Sequence, residues 1–220
     1  MKFSTALEQI DITITMSLIH PTYFPNIAHI SAIVSETKLV FEVCDNYQKQ
    51  TFRNRTEIYG ANGKLALTVP VSYTQKNRQQ YKDVRISKTE NWQSQHLKSL
   101  DSAYKMSPFY EFYIDDLMPL FIEEFDFLLD VNLKCFELLS DCLEIAIPFT
   151  LTEEFIHPKE ADNDFRSLAN AKIASEFSFD NYTQVFTEKH GFLSNLSVLD
   201  VLFNEGPNAM NYLTSQKEKL

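Results

Sequence analysis

Glycine is scarce in this chain. Of 220 residues only Gly60, Gly63, Gly191 and Gly206 are glycine, which excludes a Walker loop and a GxGxxG fingerprint, since both need several closely spaced glycines to wrap phosphate. Two large classes of nucleotide-binding enzyme drop out. Cysteine is equally sparse: Cys44, Cys135 and Cys142 are odd in number and lack CxxC spacing, so neither a disulfide scaffold nor a zinc knuckle is expected. No apolar run reaches the roughly 18 to 20 residues that a bilayer crossing needs. The opening Met1-Lys2-Phe3-Ser4 soon meets Glu8, Gln9 and Asp11, unlike a signal peptide. Positive charge is also short, with 20 Lys and Arg against 30 Asp and Glu and a net charge of −10. Such a balance repels phosphate backbones and disfavours nucleic acid as a partner. A soluble, cytoplasmic protein is the expectation, in which sequons at Asn54, Asn181 and Asn195 carry no meaning.

What is abundant is apolar side chain, 44% of the chain, enough to bury a sizeable core. Ile12 to Ile19 alternates as a strand. Pro21 and Pro25 then forbid helix until Asn26, which caps a helix through Val34. Lys38 to Val43 is a second strand, so the start of the chain is a βαβ unit with a parallel pair. Glu57 to Val71 reads as a hairpin around Asn62-Gly63, and Val84 to Ile86 as a brief strand. From Asn91 the period turns helical: a stripe from Trp92 to Tyr104, a long pattern from Phe109 to Leu129, and a helix from Val131 to Leu143. Thr152 to Asp164 reads as a charged loop, and Leu196 to Phe203 as a last helical pattern. The expected fold is α/β: a small, partly parallel sheet with an N-terminal βαβ unit and a β-hairpin, followed by a mainly helical second half. Residues 1–150 form the α/β core with its helical extension, and 151–220 pack on the same core.

Chemistry concentrates at the strand exits, the edge where open α/β sheets bind ligands. His20 follows the first strand. Its neighbourhood invites comparison with the HxGH loop of nucleotidylyltransferases, but the matching Asn26-Ile27-Ala28-His29 lacks the first His and the Gly. Asp45, Lys49, Arg53, Asn54 and Arg55 follow the second strand, and guanidinium groups bind phosphate or carboxylate through paired donors. His96 shares a helix face with Trp92; its plain alternative is a packed core histidine. Asp115, Asp116, Glu123, Glu124 and Asp126 read as a solvated acidic face, because no His stands three or four residues away, and no metal site is expected. No Ser-His-Asp or Cys-His set is identifiable.

The ordered blocks His20-Pro21-Thr22-Tyr23-Phe24-Pro25, Asp45 to Arg55, Trp92 with His96, Tyr104 and Pro108, and Asn195-Leu196-Ser197-Val198-Leu199-Asp200 followed by Leu202-Phe203-Asn204 resemble the WbqC-like family. The chain departs from that pattern with His20 in place of Gln and Ala28-His29 where Gly-Tyr is common. It is also short between about Ile156 and Tyr182, and so resembles the short form common in Bacteroidetes-type bacteria. The resemblance implies a link to O-antigen and surface-polysaccharide synthesis, and a transferase that attaches a glycyl-like or acyl group to an amino sugar. Its partners would be a nucleotide-linked or lipid-linked sugar and an activated acyl or aminoacyl donor; it names no cofactor. On chemical grounds His20 or His96 is the expected general base and Asp45 the orienting carboxylate. Tyr23, Lys49, Arg53, Asn54, Arg55 and Asn195 are the expected binding residues. The alternative is a non-catalytic scaffold of a polysaccharide assembly complex. One geometric expectation follows: the His20–Pro25 turn and the Asp45–Arg55 loop face each other across one cleft.

Overall fold

The computed structural model describes residues 16–72, 78–174 and 176–220. The first part of the strand expected at Ile12–Ile19 lies outside the described residues, as do residues 73–77 between the hairpin and the brief strand. β1 (Ser17–Ile19), α1 (Ile27–Ile33) and β2 (Leu39–Phe41) form the expected βαβ unit, with Ser17, Leu18 and Ile19 in parallel register with Leu39, Val40 and Phe41. A parallel pair cannot be joined by a tight turn, and α1 supplies the crossover. Pro21 and Pro25 hold the chain extended up to Asn26, whose side chain accepts the His29 amide at 2.9 Å and starts the helix. All seven residues of α1 are buried. A helix covered on every side belongs inside the protein, and α1 packs against helices from the other end of the chain.

Next comes a hairpin, β3 (Arg55–Gly60) with β4 (Gly63–Thr68). Its turn lies one residue earlier than the Asn-Gly pair proposes: Ala61 and Asn62 form the loop and Gly63, at φ 99°, takes the left-handed position, which a glycine adopts without steric cost. Pro70 ends this hairpin, since it has no amide to donate, and Val71–Ser72 (β5) pairs instead with Arg85–Ile86 (β6).

The helical half is α2 (Trp92–Tyr104), α3 (Tyr110–Leu117), α4 (Pro119–Ile122) and α5 (Leu128–Cys142). The long pattern from Phe109 to Leu129 is therefore broken, at Pro119 and again beyond Ile122. Two further strands complete the sheet: β7 (Phe149–Leu151) lies beside β2 and β8 (Asn163–Asp164) beside β1, giving four parallel strands in the order β7-β2-β1-β8. Strands of two or three residues have no readable period: β7 ends just before the expected charged loop Thr152–Asp164, and β8 falls at that loop's end. Short helices α6 (Ala171–Ala174) and α7 (Thr187–His190) precede α8 (Val198–Glu205) and α9 (Ala209–Gln216).

The block from Asn195 to Val198 is stitched to the first turn. Asn195 Oδ1 accepts the Ala28 amide at 2.9 Å, the Ile27 amide donates to the Leu196 carbonyl, the Val198 amide donates to the Pro25 carbonyl, and the Ser197 hydroxyl donates to the Phe24 carbonyl. Two sequence blocks far apart in the chain are thus one structural unit. Phe24 and Asn195 both have positive φ, 39° and 53°, a cost that this dense bonding offsets.

Candidate functional site

All four parallel strands end at the same edge, and there they deliver His20 after β1, Glu42 to Asp45 after β2, Thr152 after β7 and Arg166 after β8. Between them opens a cleft of about 400 Å³ whose lining includes His20, Asp45, Arg53, Phe155, Asp164 and Arg166.

His20 is 2% exposed. Its Nδ1 lies 3.0 Å from the Glu42 carbonyl oxygen, which only accepts, so Nδ1 carries the proton. Nε2 therefore presents a lone pair, and Arg53 donates to it at 2.6 Å. Burial, and then the Arg53 charge, push the imidazole pKa down against the pull of Asp45. The result is a neutral imidazole with an assigned tautomer. Asp45 Oδ2 accepts from Arg53 at 2.8 Å and stands 3.4 Å from His20 Nε2. Burial alone would raise this carboxyl; contact with His20 and the Arg53 charge outweigh it and hold the pKa at about 2. Arg53, itself 2% exposed, also donates to the Asn46 carbonyl and lies over the Tyr81 ring. Tyr81 donates to the Pro21 carbonyl, while Asn132 of α5 donates to the Arg53 carbonyl at 2.6 Å. The first turn and the Arg53 segment are braced from below by the same helix.

On the opposite wall Arg166 grips Asp164 with two bonds, at 2.9 and 2.7 Å, and donates to the Ile156 carbonyl at 2.8 Å. Its pKa is raised and that of Asp164 lowered by this pairing, in Asp164 against the effect of burial. Behind both walls sits Glu42, wholly buried. Its side chain accepts from the Cys44 amide, the Thr152 hydroxyl, the Ile156 amide and, at 3.4 Å, Arg166. One carboxyl group therefore ties together segments that leave three strands.

The cleft unites His20, Asp45 and Arg53, and the backbone supports the pairing of turn and loop: the Tyr23 amide donates to the Phe52 carbonyl at 3.1 Å. The other expected site residues lie elsewhere. His96 sits in an aromatic cluster with Trp92 and Tyr23. One of its nitrogens bonds the Thr68 backbone and Nδ1 takes the Tyr23 hydroxyl at 2.9 Å, and burial lowers its pKa to about 4. It is a pillar joining the first turn, the hairpin and α2. Asn54 is buried and donates to the Val69 carbonyl. Arg55 donates to the Gln50 carbonyl and lies 5.9 Å from the Phe52 ring centre. Lys49 is exposed on the same loop, and Asn195 serves the first turn as described. His29, buried beneath that turn, hydrogen-bonds the backbone of His20, and burial drops its pKa to about 3. Among the described residues no group of three or more His, Cys, Asp or Glu could hold a metal ion.

Glu42, Phe155, Asp164 and Arg166 escape sequence reasoning. For Glu42 a signal existed: a lone charge inside Leu39-Val40-Phe41-Glu42-Val43 asks for a buried partner. For the other three there was none: Asp164 and Arg166 stand two residues apart like any surface ion pair, and the Glu42 side chain that fixes this segment at the cleft lies 124 residues from Arg166.

Fold and site together define a small α/β protein with a polar cleft at the carboxyl edge of a parallel sheet. The chain belongs to the WbqC-like protein family, whose sequence profile matches residues 20–176. It is 23% identical over 224 residues to the uncharacterized protein Rv1507c of Mycobacterium tuberculosis, covering 90% of this chain and 96% of that one. No solved structure matches. No helix among the described residues is long and apolar enough to cross a membrane.

Proposed function

We propose that this protein is a transferase of surface-polysaccharide biosynthesis that moves an acyl or aminoacyl, glycyl-like group from an activated donor to the amino group of a nucleotide-linked or lipid-linked sugar. The observation that carries the reading is the neutral, tautomer-assigned His20 beside Asp45 at the strand exits. A sugar ammonium must lose a proton before its nitrogen attacks an acyl carbon. His20 Nε2 offers the lone pair that takes it. Once protonated, the ring is repelled by Arg53 and attracted by Asp45, so the proton stays while the N–C bond forms. Arg53, released from His20, then donates to the oxyanion of the tetrahedral intermediate. Collapse expels the leaving group with its electron pair and the imidazolium protonates it; the neutral ring then takes the second proton from the new amide nitrogen and passes it to solvent. In this scheme Lys49 and Arg55 meet the charged part of the donor, while Tyr23, Asn54 and Asn195 keep the turn in shape. His96 is left outside the chemistry by its place in the core.

The test is mass spectrometry of hexosamine acceptors incubated with activated aminoacyl and acyl donors. A mass increment that disappears in His20→Ala and Asp45→Asn supports the reading; an increment unchanged in both variants removes it.

A non-catalytic scaffold is a second reading, favoured by one feature. β7 is an edge strand with Phe149 and Leu151 exposed by 40% and 41%, beside a groove of about 720 Å³ against α5. Ligand-induced thermal shift separates the two: a small ligand at 100 times its dissociation constant stabilises the fold by about 2.7 kcal/mol, whereas a scaffold shows no such shift and co-purifies with a protein.

A further inference from the structure

Phe155 is 45% exposed, on the loop that leaves β7, and among the described residues it is the one phenyl ring lining the cleft. The way it is held is unusual for a surface residue. The Ile156 amide is taken by the buried Glu42 side chain at 2.9 Å and the Ile156 carbonyl by Arg166 at 2.8 Å. The same guanidinium lies 5.2 Å from the centre of the Phe155 ring. Arg166 is in turn locked by two bonds to Asp164, and its side chain is only 9% exposed. Placing two charged groups in so little solvent is costly, and a loop that merely covered the sheet edge would not require it. The arrangement holds an aromatic ring rigidly at the mouth of a polar cleft, the pairing of apolar wall and directed polar groups that small-ligand sites use.

We infer that Phe155 is a stacking platform for the sugar ring, with Arg166 and Glu42 as its positioning residues. A pyranose has what both surfaces need. Its C–H face covers a phenyl ring, and its hydroxyl and amino groups meet Asp45 and Arg53 on the cleft floor. This assignment rests on the transferase reading for its choice of ligand and adds to it the residue that selects the ring.

The experiment is fluorescence titration of full-length Phe155→Trp, whose new indole is exposed whereas the native Trp92 is buried. Glucosamine, N-acetylglucosamine, uridine and inorganic phosphate serve as probes. Saturable change with the hexosamines, and none with uridine or phosphate, is expected. By calorimetry or ligand-observed NMR, Phe155→Ala weakens hexosamine binding by about three- to tenfold. Arg166→Lys, which keeps the charge but loses the fork, weakens it comparably while melting stays cooperative. Unchanged hexosamine affinity in Phe155→Ala overturns the platform, as does binding of uridine in place of hexosamines. The two proposals fail separately. Sugar binding that needs Phe155 without any acyl transfer removes only the transferase, and transfer whose acceptor KM is untouched by Phe155→Ala removes only the platform.

Discussion

His20 and His96 are alike by every local measure and opposite in what surrounds them. Both are nearly buried, at 2% and 5% exposure, both have lowered pKa values caused first by burial, and both have each ring nitrogen engaged. Around His96 stand a phenol, an indole and a backbone carbonyl; around His20 stand a guanidinium and a carboxylate that open onto a cleft. Burial and a shifted pKa thus do not mark a site. What marks it is a charged neighbour able to respond when the ring changes protonation.

The largest expected effect separates the two directly. His20→Ala lowers acyl transfer by about 10²- to 10⁴-fold, the usual weight of a general base, in a variant that still unfolds cooperatively and loses about 1–3 kcal/mol for the vacated ring and its two hydrogen bonds. His96→Ala spares the transfer chemistry: it empties a buried aromatic cluster and orphans the Tyr23 hydroxyl, costing about 2–4 kcal/mol in urea unfolding. Loss of turnover at full stability in His96→Ala breaks the comparison.

pH gives the next test. His96 titrates at about 4 in the fold and at about 6.5 in the unfolded chain. Between these values the unfolded state binds more protons, so stability falls as pH drops through that window. His96→Phe removes this share, and the wild-type minus variant stability difference shrinks by up to about 3 kcal/mol from pH 7 to pH 4. A pH-independent difference contradicts the assignment of a neutral, buried ring.

Asp45 has the opposite sign. Its folded pKa of about 2 lies below the ordinary 3.8, so its stabilisation is present above about pH 4 and is lost as pH falls towards 2. With partial exposure taken into account, Asp45→Asn costs about 1–2 kcal/mol at pH 7 and little at pH 2, read from urea midpoints at the two pH values. Last and smallest, Lys49→Ala and Arg55→Ala raise the KM for the donor by about two- to fivefold with kcat unchanged. A fall in kcat would move these loop residues into the chemistry.

Much of the first half of the chain was legible. The prolines at 21 and 25 and the cap at Asn26 delimit a helix that forms where they place it, and the parallel pair of β1 and β2 follows from the length of that crossover. The grouping of His20 with Asp45 and Arg53 was readable too, because consecutive strand exits of a βαβ unit share an edge. The long helical pattern after Phe109 was legible in character but not in its breaks. The role of His96 was undecidable: Trp92 on its own helix was visible at four residues, but Tyr23 lies 73 residues away.

The amino-acid order by itself determined the excluded chemistries, the βαβ start, the hairpin and the residue types at two strand exits. Each is a matter of local spacing, which a chain carries without reference to its fold. Tertiary structure alone decided that β7 and β8 join the sheet, that Glu42 meets Thr152, Ile156 and Arg166 across gaps of 110, 114 and 124 residues, and that His20 rather than His96 faces the cleft. Short parallel strands have no period of their own, and a buried charge shows its partner only once the chain has closed around it.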